Sequence, residues 1–368
     1  MKKAANYITI FAFFLLLAMF AVSTVFFQKK VSFSEEIKKS ENAADIFNNY
    51  AADNFPLQAN WKTLYANTMV LLGKEQFGDI FILDDKLVKS YPKADKEKTS
   101  RNIQLLNEFA LSTNTPVYAM IAPTAAGIYS SSLPEYATET DQKDEINSIY
   151  LELDKKISTI DAFYPLYSAR DEYIYYRTDS KWTSFGAYYT YIEAAKRLGN
   201  IPQTLSNYDQ EYAAESYYGE LYQKVYYSGI QADRINLFRS KYQSTVVSVE
   251  LTEGEKILNS KSVYFRSALN TEKKTNIFLQ GDSCEKVTIK TSVKDAPKLL
   301  IIKGSYANTL APFFTPHYSE ITLADPALIK KSGKKLSDIV NVNDYDQVLV
   351  MYDIENFSEA EGLDILCG

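Results

Sequence analysis

Ser305 is the residue of this sequence best placed to act as a nucleophile. It lies in the turn G-S-Y-A-N at residues 304–308, between an apolar strand predicted at 298–303 and a helix predicted at 309–314. A serine in such a turn presents its hydroxyl at the edge of a sheet, and the backbone N–H groups at the helix start point to where an oxyanion would form. This pattern is typical of acyl-transfer and ester-hydrolysing sites.

Two other residues compete for roles in such a site. Ser283 lies in G-D-S at residues 281–283, after an apolar run, and is a weaker alternative nucleophile. His317 is the only histidine and the obvious base to look for. About ten residues of helix separate it from the turn, which at ~1.5 Å each is ~15 Å, whereas a base must approach within about 3 Å. We therefore expect His317 to be structural.

Two charged residues precede an aromatic helix earlier in the chain. Asp179 and Lys181 lie on a polar loop, and a helix is predicted from Thr183, with Thr183 or Ser184 as its cap because either side-chain oxygen can accept a backbone N–H. The residues alone favour capping and a surface ion pair, which contributes little to stability. A site on this loop is the alternative.

Both stretches resemble one family. Residues 178–183 read T-D-S-K-W-T, similar to the T-D-H-H-W-T signature of the DHHW family, and residues 303–309 read K-G-S-Y-A-N-T, similar to its K-D-S-Y-A-N-S. The resemblance implies an SGNH-hydrolase-like fold related to the alginate O-acetylation proteins, in which an acetyl group passes through the serine to a sugar hydroxyl. It assigns catalytic positions to Asp179, Lys181 and Ser305, and substrate-binding positions to Trp182, Tyr306 and Asn308.

The chain departs from that pattern where the chemistry needs it most. The family's catalytic histidine falls on Lys181, its neighbour on Ser180, and the Asp before the nucleophile on Gly304. A lysine has a pKa near 10.4 and is protonated at neutral pH, and Asp179 beside it would favour the charged form further. Whether the protein is an enzyme is therefore uncertain: we expect a catalytically impaired relative, with an active O-acetyltransferase or acetylesterase using Ser305 as the alternative.

Composition excludes several other functions. The net charge of −6 argues against a nucleic-acid partner, because phosphate binding needs a basic face. Cys284 and Cys367 lie far apart and form no metal or redox motif, so we predict no metal and no cofactor, and a single disulfide stays open.

The order of segments predicts an anchored α/β protein. An uncharged apolar run at 8–27 is long enough to span a bilayer, so residues 1–30 are predicted to be a signal anchor, with a cleaved signal peptide as the alternative. Residues 31–76 are predicted to be a tether and a helix. Residues 77–368 are predicted to form the SGNH-like domain, a parallel sheet flanked by helices.

Within that domain, the alternation of strands and helices breaks at 201–275, a tyrosine-rich stretch predicted to be an inserted β-rich segment. Ligands in parallel sheets bind beyond the carboxyl ends of the strands. The loop at 123–125 and Asp161, which follow two of the predicted strands, are therefore expected to line the site.

The resemblance also implies a location and partners. It places the main domain outside the cytoplasm, at the cell membrane, acting on a cell-surface polysaccharide. It further implies work alongside a membrane-bound O-acyltransferase.

Overall fold

A computed structural model describes residues 2–26, 42, 57–91, 94–241 and 246–367. They divide into two units, one made of Met1–Lys74 with Val225–Ser228 and the other of Glu75–Lys224 with Gly229–Gly368. The first unit contains helices α1 (Lys2–Phe26) and α2 (Gln58–Leu71). Within the described residues, no helix combines the length and apolarity needed to cross a membrane. The anchor stays a prediction, and most of the predicted tether lies outside the described residues.

Thirteen strands are found in the described part of the second unit. They are β1 (Gln76–Phe77), β2 (Ile80–Ile82), β3 (Leu87–Lys89), β4 (Val117–Ala122), β5 (Ile157–Asp161), β6 (Tyr208–Tyr217), β7 (Asp233–Ser240), β8 (Val246–Glu253), β9 (Lys256–Ser260), β10 (Lys286–Thr291), β11 (Lys298–Lys303), β12 (Glu320–Ala324) and β13 (Gln347–Asp353).

The helices that follow α2 connect these strands. They are α3 (Lys96–Ser112), α4 (Ala125–Ile128), α5 (Gln142–Glu152), α6 (Phe163–Ser168), α7 (Ser184–Arg197), α8 (Glu220–Val225), α9 (Ala307–Leu310), α10 (Pro326–Lys331) and α11 (Ile354–Ser358). The predicted helix at 309–314 is in fact α9 followed by a 3₁₀ turn at Ala311–Phe314, with Pro312 inside that turn.

The main sheet has eight strands in the order β5-β4-β13-β11-β12-β10-β8-β9. The first five are parallel, and β10, β8 and β9 add to them antiparallel. The fold is thus α/β as predicted, but the sheet is mixed rather than purely parallel. Strands β4, β11 and β13 are buried almost throughout, as expected for strands covered on both faces.

The segment at 201–275 contributes four strands to two different sheets. Its first half makes a two-stranded antiparallel ribbon, β6 with β7. Its second half supplies β8 and β9, which extend the main sheet through pairing of β8 with β10. The division of this segment from the rest of the domain as an insertion stays a prediction.

Several local predictions are confirmed. Helix α7 begins at Ser184, and the Thr183 hydroxyl caps it by accepting the N–H groups of Phe185 and Gly186. Strands β4 and β11 have the predicted bounds.

The sequence left open whether Cys284 and Cys367 form a disulfide. In the structure both are free thiols.

Candidate active site

Ser305 lies directly beyond the carboxyl end of β11, in the turn that leads into α9. The turn is fixed to the neighbouring strand because the Gly304 N–H donates to the carbonyl oxygen of Met351 at 2.7 Å. The Ser305 Oγ accepts a long hydrogen bond of 3.4 Å from the Asn356 Nδ2. Among the described residues, no acceptor is found for the backbone N–H groups of Ser305 and Tyr306. These two groups could stabilise an oxyanion beside the hydroxyl.

Asp353 and Asn356 orient the serine and were missed by the sequence analysis. Asp353 ends β13, is 2% exposed, and caps α11 by accepting the Asn356 N–H at 3.0 Å. Its Oδ2 also accepts the Asn356 Nδ2 at 2.6 Å, so the amide that contacts Ser305 is itself held. Burial raises the pKa of Asp353. The available signal was an Asp at the end of a buried strand with an Asn three residues later, the spacing of a helix cap.

The cleft at Ser305 is small. Its volume is about 40 Å³, and its wall includes the carboxylates of Asp179, Asp353 and Glu355. At the same cleft, Lys89 forms an ion pair with Glu355. The space beside Ser305 is therefore narrow, and its walls are strongly polar.

The predicted loop at 123–125 contributes to this cleft through Thr124 and Ala125. Gln142 holds Thr124 through two hydrogen bonds of 2.8 Å. Asp161 is not among the residues of the cleft, and its carboxylate instead accepts the Phe163 N–H at 2.8 Å, at the start of α6. Of the two loops expected at the site, only the first lines the cleft.

Asp179 is buried and held on two sides. It is 3% exposed, its Oδ2 accepts the Tyr217 hydroxyl and its Oδ1 accepts the Lys181 backbone N–H at 3.1 Å. The Lys181 Nζ lies 3.9 Å from the same Oδ1. Tyr217 comes from strand β6 of the ribbon, and no local sequence pattern indicates this contact.

Lys181 is a cation surrounded by carboxylates. Burial by itself would lower its pKa, but four carboxylates together outweigh burial and leave the pKa raised, namely Asp179, Glu220, Asp282 and Asp353. Within the part of the chain that the structure describes, Lys181 makes no hydrogen bond to Ser305. The assignment of Asp179, Lys181 and Ser305 as a catalytic set stays a prediction.

The three predicted substrate-binding residues are packed inside the protein. Trp182 is 0% exposed, its ring lies 4.7 Å from that of Tyr306, and its Nε1 donates to the Tyr306 carbonyl oxygen at 3.1 Å. The Tyr306 hydroxyl donates to the Ser180 carbonyl oxygen at 2.8 Å. Asn308 donates to Asp282 at 2.8 Å. Their contacts join the two motifs, and their binding of substrate stays a prediction.

Ser283 has no basic partner in the described structure. Its hydroxyl donates to the Gln280 carbonyl oxygen at 3.0 Å. The preceding Asp282 instead forms an ion pair with the fully buried Lys303 at 3.1 Å, and Asp325 contacts the same ammonium at 3.2 Å. In the G-D-S stretch it is therefore Asp282, and not Ser283, that contacts the strand and turn around Ser305, through Lys303 and Asn308.

The residues around Gly304 leave no room for a side chain at this position. A Cβ on Gly304 would lie 2.8 Å from Cδ1 of Tyr352, a buried ring in the core. That separation is shorter than carbon atoms tolerate, so a side chain here requires Tyr352 to move. The Asp that the family motif carries at this position does not fit the present packing.

His317 pairs with Tyr191 and not with the site. Its Nε2 lies 2.7 Å from the Tyr191 hydroxyl, and the two rings stack. Burial lowers the pKa of His317 to about 4. It is not among the residues of the Ser305 cleft, in agreement with the structural role expected from the spacing.

Comparison with known proteins identifies the family. The family model described as "DHHW protein" matches residues 26–323. The chain belongs to the DHHW family. No curated protein matches the sequence.

Three solved structures are similar to this chain. A DHHW family protein from Eubacterium siraeum is 25% identical, with a TM-score of 0.61, covering 78% of this chain and 93% of that one. PatB1 of Bacillus cereus, solved with a sulfonyl adduct, is 16% identical with a TM-score of 0.65 over 78% of this chain and 98% of its own. The O-acetyltransferase domain of Pseudomonas putida AlgJ is 14% identical with a TM-score of 0.47, covering 76% and 93%.

In this DHHW protein the two family motifs meet in space. The Trp182 indole packs on Tyr306, and the Tyr306 hydroxyl binds the Ser180 carbonyl oxygen, so the loop that carries Asp179 is joined to the turn that carries Ser305. The two segments that resemble the family motifs therefore lie side by side. Ser180, Lys181 and Gly304, which depart from those motifs, belong to these segments.

Proposed function

We propose that this protein acts outside the cytoplasm, at the cell membrane, in the O-acetylation of a cell-surface polysaccharide, and that it does so without acyl transfer by Ser305. Membership of the DHHW family supports the link to O-acetylation. The proposal assigns the chain a binding or scaffolding role, beside a membrane-bound O-acyltransferase that supplies acetyl groups.

The state of Lys181 is the observation that supports the lack of transfer. A general base must accept the serine proton, and an ammonium group has three donors and no acceptor. The carboxylates around Lys181 raise its pKa, so it is protonated at neutral pH. It also pairs with Asp179 instead of contacting the Ser305 hydroxyl. Ser305 therefore lacks the base that nucleophilic attack requires.

A second candidate, an active acetyltransferase or esterase, is favoured by the surroundings of Ser305. The N–H groups of Ser305 and Tyr306 have no acceptor among the described residues, and Asn356 orients the hydroxyl. An oxyanion hole alone gives some catalysis even where a triad member is missing. This candidate needs a base other than Lys181.

The test is hydrolysis of an acetyl ester by the purified full-length chain. Wild type is compared with Ser305→Ala, Lys181→His and the double variant, with Lys224→His as a matched control on a nearby lysine. We expect no serine-dependent activity in wild type or Lys224→His. Lys181→His should hydrolyse the ester at least about tenfold faster than wild type, since a positioned base contributes typically 10²–10⁴-fold. Adding Ser305→Ala to Lys181→His should remove this gain.

A sulfonyl fluoride gives an independent readout. We expect an adduct on Ser305 in Lys181→His, detected by intact mass, and none in wild type. Wild-type hydrolysis or labelling that disappears in Ser305→Ala would reject the proposal and establish the active enzyme.

A further inference from the structure

A second and much larger cleft adjoins the Ser305 cleft. Its volume is about 530 Å³, and Asp179 belongs to the walls of both clefts. Lys181 lines the larger cleft. Binding sites for small molecules have volumes of about 300–1,000 Å³, so this cleft has room for a short stretch of polymer beside the motif loop.

Every element that forms the walls of this cleft contributes polar side chains. Carboxylates come from the motif loop, the start of α8 and the loop before β10, namely Asp179, Glu220, Glu272 and Asp282. Thr275, Asn276 and Ser283 add groups that both donate and accept. Tyr217, the aromatic residue among the described wall residues, is 3% exposed, so its ring face is not open for stacking.

The charges of the cleft are close to balanced and slightly acidic. Against the four carboxylates stand three lysines, Lys181, Lys224 and Lys273, which leaves a formal charge of −1 (3 − 4). Lys181 is already engaged by Asp179. No arginine is among the described residues that line the cleft, although arginine is the residue best suited to bind carboxylates and phosphates in two-point contacts.

We infer that the larger cleft binds an uncharged polysaccharide segment, one without uronate, phosphate or sulfate groups. This polymer class would be the substrate class of the proposed function, and the assignment rests on that function. Sugar hydroxyls donate to carboxylates and accept from ammonium groups, so a neutral sugar satisfies both kinds of wall residue.

A polyanion would be repelled by the carboxylates of this cleft. Two like charges about 4 Å apart repel by roughly 4 kcal/mol at an effective dielectric constant of 20. A uronate placed among Asp179, Glu220 and Glu272 would bear that cost without an arginine to offset it. A neutral sugar bears none of it, so the wall discriminates by charge.

The experiment measures binding of the purified full-length chain to an array of neutral glucan and N-acetylhexosamine oligosaccharides and of uronate oligosaccharides, followed by calorimetry on the strongest ligands. Wild type is compared with Glu220→Lys/Glu272→Lys, which reverses the charge of the cleft. Glu253→Lys/Glu255→Lys is the matched control, because these two exposed glutamates lie at the turn between β8 and β9 and change the net charge equally.

We expect wild type to bind neutral oligosaccharides at least tenfold more tightly than uronates. The cleft variant should gain uronate binding at least tenfold, and the control should behave as wild type. Preference of wild type for uronates, equal gains in both variants, or binding of no glycan on the array would each overturn the inference. The ester-hydrolysis test does not use the polymer, so failure here is separate from failure of the proposed function.

Discussion

At the scale of single residues, the site differs from its family in what each group can accept or donate. A neutral imidazole can accept a proton and pass it on, whereas the Lys181 ammonium can only donate. The absence of an Asp at position 304 agrees with the local packing, because Cδ1 of Tyr352 lies only 2.8 Å from where its Cβ would be. An Asp at position 304 therefore requires Tyr352 to move, whereas Lys181→His is expected to supply a base without that change.

His317 gives a prediction at this scale. Its folded pKa of about 4 lies below the ordinary value of 6.5, so the unfolded chain binds its proton more readily. The neutral form therefore contributes stability above about pH 6.5, and this contribution is lost as the pH falls towards 4. Relative to His317→Gln, wild type should lose about 1 kcal/mol of unfolding free energy between pH 7 and pH 5, allowing for partial exposure of the ring.

Denaturant titrations of both proteins at the two pH values measure this difference. Any activity should be unchanged in His317→Gln, since the residue packs on Tyr191 away from the Ser305 cleft. A pH-independent difference would show that His317 is not held neutral. A specific loss of activity in the folded variant would contradict its structural role.

At the scale of elements, the ribbon of β6 and β7 holds the motif loop in place. Asp233, at the start of β7, is 0% exposed and accepts the N–H groups of Arg177 and Thr178 at 2.7 and 2.8 Å. It also accepts the hydroxyls of Thr178 and Tyr173. With the contact from Tyr217 to Asp179, the ribbon fixes the backbone that carries the family signature.

Asp233→Asn should therefore destabilise the protein and loosen the motif loop. The amide replaces one acceptor oxygen by a donor that faces other donors, and buried unsatisfied groups cost about 1–3 kcal/mol each. We expect a loss of about 2–4 kcal/mol in unfolding free energy and faster hydrogen exchange of the amides at 177–181. Tyr173→Phe, which removes one of the four hydrogen bonds, is the control and should cost about 1 kcal/mol. Unchanged exchange in Asp233→Asn would mean that the ribbon does not hold the loop.

The same elements show what the sequence could and could not predict. Strands β4 and β11 are continuous apolar runs bounded by polar residues, so their bounds could be read locally. The pairing of β8 with the main sheet could not be predicted in this way. Its neighbour β10 begins at Lys286, more than thirty residues after β8 ends, and no local pattern specifies that pairing. For the same reason the contacts of Asp233 and Tyr217 were missed, whereas the position of Ser305 in its turn was not.

At the scale of the whole molecule, one buried cation joins three distant segments of the main unit. Lys303, at the end of β11, contacts Asp282 from the loop before β10 and Asp325 just after β12. Burial would lower its pKa, but the two aspartates outweigh burial and raise it. The parallel and antiparallel parts of the sheet are thus connected by charge beside the turn that carries Ser305.

Removal of this cation should weaken the protein in a pH-dependent way. Lys303→Met leaves Asp282 and Asp325 facing each other without a counter-charge, and loss of one partner of a buried pair costs about 3–5 kcal/mol. Because Asp282 is 42% exposed, we expect a smaller loss of about 2–4 kcal/mol in unfolding free energy at pH 7. Lys298→Met, at the other end of the same strand, is the control and should change it by less than about 0.5 kcal/mol.

The pH dependence separates lost charge from lost packing. Lys303 helps to hold the pKa of Asp282 below its usual value against the effect of burial. Without the ammonium, burial should raise the folded pKa of Asp282 above its unfolded value, so stability is retained at low pH and lost as the pH rises through the raised pKa. The deficit of Lys303→Met should therefore be smaller at pH 5 than at pH 8, and Lys303→Met/Asp282→Asn should recover part of it. A deficit that is equal at both pH values would point to packing of the lysine stem, since methionine changes the shape of the side chain as well as its charge.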